Sequence, residues 1–164
     1  MQFGSLARLS LALLLTVAPA WAVDDPGVAR MATCQDSWLD WQKNDPGKLQ
    51  AFGAQFRSEF SRSESDPFFV PKSPLSIAGL PVTRAFPDSV GMGVGFSVFV
   101  EGTFDETRKV LEKILGKPLE HCGASDDMRT CDLKISDMRT VMLMAEDNAK
   151  STSALIGCYY YYEK

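Results

Sequence analysis

A histidine beside a cysteine, His121-Cys122, is the one place in this 164-residue chain where residue types alone raise nucleophilic chemistry, a thiolate activated by an imidazole. Neighbours in a chain seldom face each other productively, and a cysteine tied in a disulfide is no nucleophile. His121 is also the sole histidine, so common zinc sites and Ser-His-Asp arrangements lack their usual ligands and base. Paired-carboxylate hydrolysis has ample raw material in 21 acidic residues, yet no spacing singles out a pair. The expectation is a chain with no catalytic residues, no cofactor and no resident metal.

Three further patterns carry chemistry in other contexts. Gly91-Met92-Gly93-Val94-Gly95 resembles the start of a dinucleotide fingerprint, but that motif needs its glycines between a strand and a helix, and here they lie inside a strand. Met142 and Met144 share one side of a strand, and Met92, Met128 and Met138 add further thioethers; such pairs bind Cu(I) in exported proteins. Methionine in an apolar strand is ordinarily core filler. Asp126-Asp127 falls short of the ligand number of a calcium loop and reads as a solvated turn.

Residues 1–22 read as a secretory signal: Arg8, an apolar run from Leu9 to Pro19, and the small-x-small site Ala20-Trp21-Ala22. No later stretch has the eighteen or more apolar residues of a membrane helix. The leader carries Arg8 and no acid, so the net charge of −4 for the whole chain becomes −5 after cleavage. That balance disfavours nucleic acid and anionic membrane as partners and leaves room for a basic protein. All four cysteines follow the leader, and an even count in an exported chain reads as two disulfides. Of three possible pairings the favoured one is Cys122–Cys131, closing a short polar loop, with Cys34–Cys158 tying the N-terminal region to the last strand.

The elements that must position these residues follow from periodicity. Residues 23–32 are polar with Pro and Gly and read as a flexible lead-in, so a single domain spans 33–164. A helical hairpin is expected over about 34–61: Trp38, Leu39 and Trp41 in the first helix, then Asp45-Pro46 opening a second with Leu49, Phe52, Phe56 and Phe60 as its stripe. Residues 61–75 read as a connection that carries Phe68 and Phe69, either plugging the core edge or meeting a partner. A short strand near 77–82 precedes the clearest one, 90–100, with Phe96, Val98 and Val100 on one side and glycines and Ser97 on the other. Thr103 and Glu106 form a capping box for a helix that runs to Leu115 and stops at Gly116. Strands are expected at 130–135, 140–145 and 153–162, the second apolar on both sides. In the third, Tyr159 and Tyr161 oppose Cys158, Tyr160 and Tyr162, so at least two phenols should be exposed or only partly covered.

The fold class is therefore α+β: an N-terminal helical hairpin, then β-β-α-β-β-β in a mainly antiparallel sheet with two disulfides. By elimination the chain reads as an exported, periplasmic or secreted, binding protein that sequesters or inhibits another protein, in the manner of an immunity protein or an inhibitor of a lytic enzyme. Phe68, Phe69, Tyr159 and Tyr161 are the expected contact residues, with Asp126 and Asp127 supplying charge. The alternative is a small-ligand or Cu(I) carrier using the methionine-rich sheet.

Overall fold

The computed structural model describes residues 23–87, 89–90, 93–125, 127–148 and 150–160. The signal-peptide reading, and Met92, Asp126, Tyr161 and Tyr162, lie outside them.

The segment expected to be a flexible lead-in is ordered. Strand β1 (Val23–Asp24) pairs in parallel with β4 (Leu75–Ile77), and helix α1 (Pro26–Ala32) buries Val28, Met31 and Ala32. Asp25 caps α1, its Oδ1 accepting the Gly27 and Val28 amides at 2.9 and 3.1 Å, and Pro26 takes the first-turn place where a missing N–H costs nothing. The ordered part therefore includes the ten residues before the expected boundary at 33: two in β1, the cap Asp25 and seven in α1.

Helices α2 (Trp38–Asn44) and α3 (Pro46–Glu59) form the expected pair, α3 opening on the Asp45 cap with Pro46 in its first turn. The expected connection over 61–75 contains strands instead: β2 (Phe60–Arg62) and β3 (Phe69–Pro71) make a hairpin that joins β5 (Leu80–Phe86) through Phe69 and Ala85. After β6 (Ser89–Val90) and β7 (Gly93–Glu101), Thr103 and Glu106 close the capping box of α4 (Phe104–Leu115), and Gly116 ends it at φ +65°. A short strand β8 (Gly123–Ser125) leads into β9 (Met128–Ser136), β10 (Arg139–Glu146) and β11 (Ser153–Tyr160).

The sheet runs β1-β4-β5-β7-β11-β10-β9-β8, antiparallel except for β1 with β4. One side is the core. Phe96, Val98, Val100, Ile156, Cys158, Val141 and Leu143 are all at most 1% exposed there, and at about 25 cal/mol per Å² such apolar burial is the main stabilising contribution. The helices cover this side. Phe52 and Phe56 of α3 pack edge-on against Phe96, Trp38 of α2 against Tyr160, and Phe104 of α4 beneath the Arg129 guanidinium. Both expected disulfides are present: Cys34–Cys158 ties the end of α1 to the central strand, and Cys122–Cys131 clamps the β8-β9 hairpin. Two disulfides mark a chain of an oxidising compartment. No helix among the described residues is long and apolar enough to cross a membrane.

Candidate binding face

Because side chains alternate along a strand, the residues between the core positions point to the opposite side of the sheet. Among the described residues no helix packs there. Cross-strand pairing arranges them in rows. Arg84 pairs with Phe99, Phe99 with Leu155, Leu155 with Met144 and Met144 with Thr130, so one row crosses five strands. At a strand spacing of about 4.8 Å, Arg84 and Met144 stand roughly 14 Å apart along it. The next row is Phe86, Ser97, Gly157, Met142 and Asp132. Arg84, Phe99, Leu155, Met142 and Met144 are all half-buried. An apolar surface of this kind, on the uncovered side of a two-layer fold, is the feature by which interaction sites are recognised.

The row borders a hollow of about 360 Å³ lined by Arg84, Phe99, Leu155, Met144, Met128 and Glu146. Arg84 is held in place by aromatic rings: its guanidinium carbon lies 4.9 Å from the Phe68 centroid and 4.6 Å from that of Phe99. Phe68 in turn packs edge-on against Phe86 and Phe99. At one end the face is rimmed by exposed acids, Glu101, Asp127, Glu146 and Asp147. A neighbouring hollow of about 410 Å³ contains Arg129, but that guanidinium is already paired with Asp105 at 2.9 Å.

Of the residues expected to meet a partner, Phe68 lies on this face and Asp127 at its rim, on the turn between β8 and β9. Phe69 points the other way, half-buried against Phe56 on the helix side. Asp126 and Tyr161 lie outside the described residues. Tyr159 corrects the expectation of an exposed phenol: it does face away from the core disulfide, yet it is only 5% exposed. Gly157 lies two residues before it on the same side, with no side chain to hold the ring off; a Cβ there would come within 2.8 Å of Tyr159 Cε2. The ring therefore folds down over Gly157, and the Ser97 hydroxyl donates to Tyr159 Oη at 3.3 Å. Tyr160 is also buried, and burial pushes its phenol pKa up.

Of the glycines in the Gly91-Met92-Gly93-Val94-Gly95 run, Gly95 serves packing, and Gly91 lies outside the described residues. A Cβ on Gly95 would sit on the carbonyl oxygen of Cys158, so the two central strands meet at that point only because Gly95 lacks one. His121 Nδ1–H donates to Asp132 Oδ1 at 2.8 Å, and that carboxylate raises the imidazole pKa; no thiolate lies beside it, since Cys122 is bonded to Cys131. Among the described residues no group of three or more His, Cys, Asp or Glu side chains is placed to hold a metal. Arg84, Phe99 and Leu155 were not singled out by sequence. The available signal was the apolar residues on both sides of β10, more than one covered face requires, together with Phe99 on the glycine side of β7.

No protein family, curated protein or solved structure matches this chain.

Proposed function

We propose that the chain is an exported binding protein, periplasmic or secreted, that sequesters or inhibits another protein through the uncovered side of its sheet. The observation that carries this reading is the half-buried row Arg84, Phe99, Leu155 and Met144, which no described helix covers. Its anchors are of the kind that dominate protein interfaces, an arginine and aromatic rings pre-set by packing, with polar residues around them. Phe68 and Asp127 belong to the same surface. The net charge of −4 and the rim of Glu101, Asp127, Glu146 and Asp147 fit a basic partner, whose encounter would be steered by charge.

The test uses the oxidised chain, residues 23–164, immobilised and exposed to envelope and secreted fractions. A protein held stoichiometrically, released by salt, and lost on Leu155→Lys or Met144→Lys but not on Gln50→Lys of α3, supports the reading, provided thermal midpoints are unchanged. Retention that survives both face variants, or no retained protein at all, removes it.

One observation favours a second reading, Cu(I) carriage: Met128 and Met144 line the same hollow, and Met142 shares their side of the sheet. Thioether binding would appear as an ultraviolet charge-transfer band on Cu(I) titration, lost on Met144→Leu.

A further inference from the structure

The arginines of this fold divide by whether a carboxylate holds them. Arg30 pairs with Asp36 at 2.8 Å, Arg108 with Glu112 at 2.8 Å, Arg129 with Asp105 at 2.9 Å, and Arg139 approaches Asp40 at 3.6 Å. Arg84 differs. It is half-buried and fixed between the Phe68 and Phe99 rings, yet among the described residues no hydrogen bond or ion pair uses its guanidinium donors. Arg57 and Arg62 also lack a carboxylate among the described residues, but both are exposed. A guanidinium carries five N–H donors in a planar fork, and ring stacking orients that fork at low entropy cost without satisfying it. The hollow beside it supplies the hydroxyl residues Ser151 and Ser153, and then an apolar floor of Phe99, Leu155 and Met144. Glu146 closes the far end, where its carboxylate accepts the Asn148 side chain at 2.9 Å.

We infer that this hollow recognises a carboxylate carried on an apolar group, the carboxylate docking on Arg84 and the apolar portion lying over Leu155 and Met144. The polarity of the site sets the orientation: Arg84 attracts an anion at one end, while Glu146 repels one at the other. On the reading proposed above, which supplies the source of the ligand, the group is an acidic residue of the partner protein next to an apolar side chain. The acidic rim then receives the basic residues around it. Bidentate pairing of a carboxylate with a preoriented arginine gives both strength and geometric selectivity.

The probe is hydrocinnamate, with hydrocinnamamide as its uncharged twin, titrated into the oxidised chain and followed by NMR at the Arg84 Nε–H and the Leu155 and Met144 methyls. The acid should shift these resonances saturably and bind about tenfold more tightly than the amide, the effect of one charge-assisted contact. Arg84→Gln should erase the difference between acid and amide, and Arg84→Lys should restore part of it, since Lys keeps the charge and loses the fork. Equal binding of acid and amide, or acid binding unchanged in Arg84→Gln, overturns the inference. Its failure is separable from that of the proposed function. Probe binding without a retained protein upholds this site and removes the protein-binding reading; a retained protein without probe binding does the reverse.

Discussion

The carboxyl groups of Asp25 and Glu59 meet at the junction of α1 and α3, one from the N-cap of the first helix and the other from the last residue of the second. Asp25 Oδ1 is committed to the Gly27 and Val28 amides, and Glu59 Oε1 accepts the Gln55 side chain at 3.1 Å. Their remaining oxygens, Asp25 Oδ2 and Glu59 Oε2, are buried with no other donor. Burial and the Asp25 carboxyl together raise the Glu59 pKa above the usual glutamate value. A proton held by Glu59 and offered to Asp25 would satisfy both oxygens at once.

That arrangement makes part of the stability depend on pH in an unusual direction for a carboxylate. A folded-state pKa raised above the unfolded one contributes stability that is complete below the unfolded glutamate value and is lost as pH rises through the raised value. Glu59→Gln keeps a donor towards Asp25 and does not ionise. The variant should therefore gain about 1 kcal/mol over the natural chain at neutral pH, the size of one net hydrogen bond, and gain little in acid. Thermal midpoints measured across the pH range check this; parallel curves for the two proteins would remove the shared proton.

Tyr159 lies over Gly157 with Ser97 beneath, and this packing predicts a loss of fold stability at positions that look like surface. A Cβ on Gly157 would come within 2.6 Å of Ser97 Oγ and 2.8 Å of the Tyr159 ring. Gly157→Ala should cost about 1–3 kcal/mol by overpacking. Tyr159→Ala should cost about 3 kcal/mol, since it strips a buried aromatic ring from the sheet. Urea midpoints decide the matter. A Tyr159→Ala variant as stable as the natural chain would return that ring to the surface and to the list of contact residues.

Cys34 occupies a backbone conformation usually left to glycine. It follows α1 at φ +58°, while the Gln35 amide donates to the Arg30 carbonyl at 2.9 Å and the Cys34 amide to that of Met31 at 3.4 Å, the paired bonds of a left-handed helix stop. Glycine would fit the turn, but the disulfide to Cys158 requires a cysteine there. Two proteins that lack this bond and keep Cys122–Cys131 separate the effects. Cys34→Ala with Cys158→Ala should lose roughly 4 kcal/mol, given the long loop the bond closes. Cys34→Gly with Cys158→Ala should recover about 1 kcal/mol of that, because glycine carries no left-handed penalty. Denaturant unfolding of the two proteins side by side reads the difference.

What was legible in the sequence was mostly local. The capping box at Thr103 and Glu106, the Gly116 stop and both disulfide pairings depend on near neighbours or simple counting, and the structure has them as expected. Helix α1 was missed although Asp25-Pro26 repeats the Asp45-Pro46 signature of α3, because the polar residues around it hid the three that are buried. The β2-β3 hairpin was missed because each strand has three residues and is defined by its partner rather than by its own alternation. The open face was hidden for a longer-range reason. Met142 and Met144 read as buried because TVMLMA is apolar on both sides; sequence periodicity gives the two sides, but only the docking of every described helix on one of them leaves the other uncovered.

His121 and Asp132 supply the last prediction, at the edge of that open face. The imidazole Nδ1 lies 2.8 Å from Asp132 Oδ1, and that hydrogen bond, with the carboxylate charge, raises the His121 pKa above the ordinary histidine value. For a base raised in the folded state, the contribution to stability is complete below the unfolded value and disappears as pH climbs through the folded one. Both side chains are solvent-accessible, so the effect on stability is small and the titration itself is the sharper readout. Since His121 is the chain's sole histidine, its imidazole resonance can be followed without assignment. Asp132→Asn should bring the midpoint down towards the ordinary value while leaving the Cys122–Cys131 bond and the β8-β9 hairpin in place. An unchanged midpoint would mean that the imidazole does not hold this contact in solution.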